Sequence, residues 1–281
     1  MIACHVCHGS DMVLFSAKNG HQIFRCRTCS LMFVHPIPST SGIYEEDYFS
    51  GAEGGFGYVN YDADKEPMIP TFKKYLQLIR DALKGTGTLL DVGAATGFFV
   101  RLAHDAGFSA SGVELSEHAA SMGRSHGLAI ETGTLAQVHG TFDCITMLDV
   151  IEHVPEPRAE IKLACALLRA GGVLVINTPD AGSLFARAMG KRWHLIVPPE
   201  HLYYFNRRNL TQLLKEEGFE VELETTIGKS FTFTYIWKTL YKWTKLWVFD
   251  VLSGFFAVPL LSRLAIPINL RDNMFVLARK R

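Results

Sequence analysis

Four cysteines near the start of the chain have the spacing of metal ligands. They form two Cys-x2-Cys pairs, Cys4 with Cys7 and Cys26 with Cys29. Each such turn presents two thiolates to one ion, and two turns complete the closed tetrahedral shell of a structural zinc site. We therefore predict a zinc ribbon over residues 1–38, in which metal binding supplies folding free energy that so small a unit cannot obtain from burial.

Disulfide bonding is the alternative for these cysteines. The first residues lack the charged and apolar regions of a secretory signal, which predicts a reducing, cytoplasmic location where thiols or metal ligands are expected. The other two cysteines, Cys144 and Cys165, fall in segments of predicted strand and helix and are expected in the core.

Residues 89–99 combine a hydrophobic strand, a glycine turn and the start of a helix. Gly93 and Gly97 allow the backbone to approach a ligand closely, and a helix N-terminus supplies N–H donors. A dinucleotide fingerprint would need glycine where Ala95 stands. Asp91, directly before the turn, would repel a pyrophosphate but attract the ammonium and sulfonium of S-adenosylmethionine. These residues therefore favour S-adenosylmethionine as the cofactor.

Glu114 ends the next predicted strand, where a carboxylate can accept hydrogen bonds from both hydroxyls of a ribose. Ser116 then has the type and place of a helix N-cap.

Short apolar runs alternate with helical segments through the middle of the chain, which is typical of a doubly wound parallel sheet. A helix over 71–83 precedes the first strand, and another over 209–217 precedes the sixth. We predict an α/β, Rossmann-like, mostly parallel sheet of seven strands near 88–92, 110–115, 128–132, 143–148, 172–177, 219–224 and 274–278.

The composition indicates the size of the core and the kind of partner that is expected. The chain has 281 residues, of which 48% are hydrophobic, enough for one large core and a small satellite module. Its 28 basic and 28 acidic residues balance, and no basic run is present, so a nucleic-acid partner is not expected.

Two aromatic-rich segments flank the predicted core. The first, within residues 39–87, is interpreted as a glycine-rich lid with a leading helix, or alternatively as a packed connector. Residues 229–270 are predicted to form a helical insertion between the core at 88–228 and the last strand at 271–281. Aromatics and lysines over 231–270 suit an in-plane helix on the inner face of a membrane, although a packed helical hairpin fits equally.

Five motifs in order resemble the class I S-adenosylmethionine-dependent methyltransferases. The narrower similarity is to the branch that includes ubiquinone-biosynthesis O-methyltransferases and bacterial glycan or sugar methyltransferases. Ala95 departs from the first motif, where glycine is more usual. The matching positions are residues 91–97, Glu114, and residues 142–154, 170–180 and 200–205.

The resemblance implies which residues contact the cofactor. Thr134 and Leu135 would lie near the adenine, although a plain surface turn explains them too, and Leu148 would lie near the methionyl group. The full predicted set is Asp91, Gly93, Ala95, Gly97, Glu114, Leu115, Thr134, Leu135 and Leu148.

Methyl transfer to a hydroxyl needs alignment of the reactants and a base that removes the proton. His153 and His201 are the two base candidates, with Glu200 expected to orient His201, and Glu152 is a weaker third. A structural role for His153, in the loop before the next helix, is the alternative.

The acceptor is expected to be a small molecule, namely a sugar, a glycan or a lipid-linked compound. Two alternative functions fit the sequence. The ribbon and the pair Glu200-His201 resemble antibiotic-sugar C-methyltransferases, but prolines precede the pair where those enzymes carry a tyrosine. The second alternative function is that of a scaffold, which binds the cofactor but catalyses no reaction. The sequence does not indicate an oligomeric state.

Overall fold

A computed structural model describes residues 2–39, 62, 65–232 and 265–281. Its centre is a seven-stranded sheet in the order β10-β13-β8-β7-β4-β5-β6. All neighbouring strands pair in parallel except β13, which is antiparallel to both β8 and β10. The strands are β4 (Thr88–Val92), β5 (Ser109–Glu114), β6 (Ile130–Thr132), β7 (Phe142–Leu148), β8 (Leu168–Pro179), β10 (Phe219–Thr225) and β13 (Asn273–Lys280).

Continuous apolar runs place the strands at the centre of the fold. Residues 173–176 of β8 are completely buried, as expected for a strand covered on both faces. Separate hydrophobic clusters lie on the two faces of the sheet, so the domain has three layers. The helices are α1 (Ile69–Leu83), α2 (Phe98–Asp105), α3 (Glu117–Ser125), α4 (Pro157–Leu167), α5 (Leu184–Met189) and α6 (Arg207–Glu216).

The N-terminal segment forms a second sheet of four strands in the order β1-β2-β3-β9. Its fourth strand comes from the core, because Met32 and Phe33 of β3 pair with Tyr204 and Tyr203. Cys4 and Phe33 also belong to the same hydrophobic cluster as residues of the main sheet. The ribbon is therefore packed onto the core. The strands are β1 (Met12–Lys18), β2 (His21–Cys26), β3 (Met32–Val34) and β9 (Tyr203–Tyr204).

The fold predicted from the sequence is confirmed in class and in its seven strands. It differs at both ends of the predicted helical insertion, where β11 (Lys229–Thr232) pairs antiparallel with β12 (Ala265–Ile268). Residues 233–264, which carry most of the predicted helical and membrane-facing segment, lie outside the described residues, as do residues 40–61 of the predicted lid. In the part of the chain that the structure describes, no helix has the length and apolarity to cross a membrane.

Candidate active site and cysteine cluster

The predicted site residues gather at one edge of the sheet. β4, β5 and β7 are mutually parallel neighbours or next neighbours, so their carboxyl ends lie together. Asp91, Glu114 and the loop that starts at Asp149 stand at those three ends. Ligands of such sheets bind in this position, which makes the edge the candidate active site.

The glycine turn after β4 has a backbone that few residues tolerate. Gly93 and Gly97 have φ values of 71° and 81°, and Ala95 has a φ of 49°. A Cβ on Gly93 would lie 2.7 Å from Cγ2 of Val150, so glycine is required there for space as well as conformation. Ala95 accepts a left-handed backbone at a cost of about 1 kcal/mol. The contact with Val150 also places the loop after β7 directly against the turn.

Asp91 is a buried carboxyl at the base of this turn. Only 4% of the residue is exposed, and Oγ1 of Thr146 donates a hydrogen bond of 2.6 Å to its Oδ1. Burial, opposed by the bond from Thr146 and reinforced by the charge of Glu114, raises the pKa of Asp91 to about 7. A cationic ligand group would stabilise its ionised form.

Glu114 joins the end of β5 to the glycine turn. Its Oε2 accepts a hydrogen bond of 2.8 Å from the Ala95 amide, and its Oε1 accepts one of 2.9 Å from the Ser116 amide. Burial raises the pKa of Glu114 overall, although these two amide donors act to lower it. Each carboxylate oxygen has a second acceptor site that a ligand hydroxyl can use. Ser116 caps α3, as predicted.

The other four predicted cofactor contacts differ in accessibility. Leu115 is 58% exposed, Thr134 is exposed and Leu148 is half-buried, so their side chains are open to a ligand. Leu135 is only 1% exposed and packs in the core, so its side chain is closed to a ligand. Thr134 caps the short 3-10 helix Leu135–Gln137, and this geometry directs Leu135 inward.

The structure brings both base candidates together. The rings of His153 and His201 are 4.8 Å apart between centroids, at an interplanar angle of 81°. Glu152 joins them, since its Oε1 lies 4.0 Å from Nε2 of His153. The Glu200 carbonyl accepts a bond of 2.8 Å from Nδ1 of His153, whereas Nδ1 of His201 donates to the Leu195 carbonyl. Glu200 thus orients His153 through its backbone, while His201, which we expected it to orient, is held by Leu195.

Burial controls the protonation of this cluster, which we call the Glu-His-His cluster (Glu152, His153 and His201). Burial lowers the pKa of His201 to about 3, and it lowers the pKa of His153 as well. Burial, with the charge of Asp149, raises the pKa of Glu152 to about 8. All three groups are therefore neutral near pH 7, an unusual state for groups expected to exchange a proton.

An ion pair beside the cluster escaped the sequence analysis. Nζ of Lys229, on β11, lies 2.8 Å from Oδ2 of Asp149. The side-chain amide of Asn177 donates a hydrogen bond of 2.7 Å to Oδ1 of the same carboxylate. Burial is the largest influence on the pKa of Asp149 and acts to raise it, but the charges of Lys229 and Lys65, together with the hydrogen bond from Lys229, outweigh burial and the pKa is lowered. Lys229 fixes the start of the insertion to the candidate site.

The four N-terminal cysteines form a second cluster. Sγ of Cys4 lies 3.5 Å from Sγ of Cys29, and Sγ of Cys7 lies 3.5 Å from Sγ of Cys26. All four sulfurs lie within 4.8 Å of one another. Tetrahedral zinc with Zn–S bonds of about 2.3 Å needs sulfurs about 3.8 Å apart, so the cluster fits that ion.

The ribbon holds the loop that carries His201. Lys18 and Asn19, at the β1–β2 turn, donate side-chain hydrogen bonds to the carbonyls of Ile196 and Pro198 at 2.6 and 2.8 Å. The amide of Val34 bonds the Leu202 carbonyl at 2.9 Å, and the Leu202 amide bonds the Glu152 carbonyl at 2.9 Å. Residues 195–202 are therefore fixed between the ribbon and the loop after β7.

A groove of about 780 Å³ opens beyond the end of β8. Two leucines in it are unusually open to solvent, Leu184 at 84% and Leu270 at 42%. Arg208 and Arg271 also line it, so the groove combines apolar and cationic surface. Its full lining is Asp180, Gly182, Ser183, Leu184, Phe185, Asn206, Arg207, Arg208, Thr226, Leu270 and Arg271.

Comparison with known proteins identifies the family. Residues 65–224 match the family described as a methyltransferase domain. The chain belongs to the class I S-adenosylmethionine-dependent methyltransferases, as the order of motifs predicted.

Similar curated proteins carry the name ubiquinone biosynthesis O-methyltransferase. The one from Idiomarina loihiensis is 32% identical over 127 residues, or 41% of this chain and 49% of that protein. The one from Thiobacillus denitrificans is 27% identical over 150 residues, or 48% of this chain and 65% of that protein. The chain thus spans about half to two thirds of the length of these relatives.

A solved structure shares the fold. Magnesium protoporphyrin IX methyltransferase from Synechocystis, solved with bound SAH, superposes with a TM-score of 0.52 over 82% of this chain and 90% of that chain. At 16% sequence identity the likeness concerns the fold alone.

Proposed function

We propose that the protein transfers a methyl group from S-adenosylmethionine to a hydroxyl of a small, lipid-linked acceptor. The observation that carries the proposal is the meeting of Asp91, the glycine turn and Glu114 at the carboxyl edge of the sheet. A buried acid at the base of the turn suits a cationic cofactor, and a second acid on the adjacent strand suits a ribose. The four ribbon cysteines are proposed to bind a structural zinc ion.

The chain's own residues would bind and align the reactants. Asp91 would pair with the ammonium group, Glu114 would accept the ribose hydroxyls, and the backbone over 95–97 would border the cofactor. The remaining predicted contacts, Leu115, Thr134, Leu135 and Leu148, would form its surroundings. S-adenosylmethionine supplies a methyl carbon already activated by its sulfonium, so the protein chiefly fixes geometry and manages one proton.

The Glu-His-His cluster is proposed to assist the departure of that proton from the acceptor. Glu152 and His153 follow β7, and their loop packs against the glycine turn through the contact of Val150 with Gly93. A hydroxyl placed between the turn and the cluster would meet both the methyl donor and the imidazoles.

The groove supports a lipid-linked acceptor. Exposed Leu184 and Leu270 can contact an apolar chain, while Arg208 and Arg271 can contact an anionic or hydroxyl-rich head. The names of the curated relatives, which are O-methyltransferases of ubiquinone biosynthesis, favour methylation of oxygen on an isoprenoid-type molecule. A lipid-linked sugar or glycan has the same combination of apolar chain and polar head and remains the second candidate.

The acceptor class is tested with matched compounds. We expect label from S-adenosyl-[methyl-3H]methionine to enter a catechol or sugar that carries an isoprenoid chain at least tenfold faster than the same head group without the chain. Replacing Leu184 by Asp should remove this preference, because a charge would then face the chain. Equal rates with and without the chain would contradict a lipid-linked acceptor.

Cofactor affinity should depend on pH through Asp91. An ammonium group binds the ionised carboxylate, and the pKa of Asp91 in the free protein is about 7. Affinity should therefore be constant above pH 7 and fall by up to about tenfold for each pH unit below it, as binding must then release a proton. Calorimetry in buffers of different ionisation enthalpy measures the number of protons released when the cofactor binds. Affinity that stays unchanged from about pH 7 to about pH 5.5 would contradict the assignment.

A further inference from the structure

We propose that Glu152, His153 and His201 bind a divalent transition-metal ion, which coordinates the acceptor hydroxyl during methyl transfer. This inference rests on the proposed function and deepens it, because it assigns the departure of the proton to a metal site in place of a histidine base. The site is separate from the cysteine cluster of the ribbon. Its ligands come from two loops, one after β7 and one before β9.

The distances suit a shared ion. One ligand atom from each of the three side chains lies within 4.8 Å of the other two. A point equidistant from three atoms at that separation lies about 2.8 Å from each, and metal bonds to nitrogen or oxygen are about 2.0–2.2 Å long. Each side chain would therefore need to move by only about 0.6–0.8 Å to close the coordination shell.

The hydrogen bonds of the two histidines set them up as ligands. Both backbone carbonyls that contact them can only accept, so we infer that the proton of each ring is on Nδ1. In the neutral rings the lone pair is then on Nε2. Metal-binding histidines typically have their second nitrogen bonded to a carbonyl or carboxylate in this way, which fixes the ring orientation.

Glu152 supplies the independent observation that a cation belongs here. The residue is 1% exposed, and Thr178 donates a hydrogen bond of 2.9 Å to its Oε2. Its Oε1 is buried and accepts no hydrogen bond from any residue that the structure describes. A buried carboxyl oxygen without a hydrogen-bond partner destabilises the folded protein, because its bonds to water are lost and not replaced. A cation between Glu152 and the imidazoles would give that oxygen a partner.

The ligand set indicates the class of ion. Two imidazoles and one carboxylate are a donor set for manganese, iron, cobalt or zinc, whereas magnesium and calcium prefer oxygen ligands alone. Three protein ligands leave open positions for the oxygen of the acceptor. The bound hydroxyl would release its proton to water, and its oxygen would then form the new O–C bond as the C–S bond breaks and sulfur keeps the electron pair.

The test uses manganese on protein whose ribbon is already loaded with zinc. Thiolates prefer zinc, so added Mn²⁺ reports the second site, and free Mn²⁺ is counted by electron paramagnetic resonance. We expect one additional Mn²⁺ per chain, with affinity reduced at least tenfold in Glu152→Gln and in His201→Asn. Glu160→Gln and His104→Gln, at a half-buried glutamate on α4 and an exposed histidine on α2, should bind Mn²⁺ as the unchanged protein does.

Two results would overturn the metal site: no saturable Mn²⁺ binding, or equal binding in Glu152→Gln and the unchanged protein. Glu152→Gln is nearly isosteric with the original residue and is expected to fold normally. It therefore tests the metal site even if His201→Asn is less stable and melts at a lower temperature. Calorimetry with S-adenosylmethionine on the same samples separates the two proposals. Cofactor binding without Mn²⁺ binding removes only the metal site, whereas Mn²⁺ binding without cofactor binding removes the proposed function.

Discussion

Replacing Asp91 by asparagine is expected to weaken S-adenosylmethionine binding about a hundredfold. The change keeps the shape of the side chain and an oxygen that can accept the bond from Thr146, but removes the charge that faces the cofactor. An ion pair at about 4 Å contributes roughly 1–4 kcal/mol, depending on the effective dielectric, and tenfold in affinity corresponds to about 1.4 kcal/mol. Isothermal titration calorimetry measures the change directly.

Asp105→Asn is the matched control, because Asp105 is exposed at the end of α2. It should bind the cofactor normally, and the zinc content of both variants should equal that of the unchanged protein. Affinity of Asp91→Asn within about twofold of the original value would place the cofactor elsewhere.

Loss of the ribbon metal is expected to reduce methyl transfer at least a hundredfold while cofactor affinity changes less than about threefold. The ribbon supports residues 195–202 through Lys18, Asn19 and Val34, and this loop carries His201. Misplacement of a reacting group by about 1 Å costs about a hundredfold in rate. Asp91 and Glu114 stand on β4 and β5, and among the strands that the structure describes neither of these pairs with a strand of the ribbon.

Cys26→Ser supplies the metal-depleted protein, and Cys165→Ser, at a half-buried cysteine outside the ribbon, is its control. Rate and cofactor affinity are measured on the same samples. An unimpaired rate in metal-depleted Cys26→Ser would show that the ribbon has no part in positioning the loop. A parallel collapse of cofactor affinity would show that the metal stabilises the whole domain and not the acceptor side.

The central sheet was predictable because its signals are local. Buried parallel strands are continuous apolar runs, and the predicted bounds of β4 agree with the structure residue for residue. The two Cys-x2-Cys turns predicted a cysteine cluster for the same reason, since a short turn fixes its own ligand geometry. Other predicted strand ends differ from the structure where glycines obscure the apolar pattern. For example, β8 begins at Leu168, whereas the sequence predicted a start near residue 172.

The parts that escaped prediction depend on contacts between distant segments. His153 and His201 are far apart in sequence. The pairing of β3 with β9, together with the hydrogen bonds from Leu202 to Glu152 and from His153 to Glu200, brings them together. Glu152 was the third candidate base because two of its features cannot be predicted from neighbouring residues: its burial, and the lack of a hydrogen bond to its Oε1 from any residue in the described part of the chain. The strand at the start of the insertion did leave a signal, the alternation of polar and aromatic residues from Ser230 onward.

Transfer of tritium from S-adenosyl-[methyl-3H]methionine into a lipid extract of cells tests whether the protein is a methyltransferase that acts on a lipid-linked acceptor. We expect labelled product with the unchanged protein and at least a hundredfold less with Asp91→Asn at the same cofactor concentration. Tight cofactor binding without label in any fraction, lipid or aqueous, would contradict an enzyme and indicate a scaffold that binds the cofactor without catalysis.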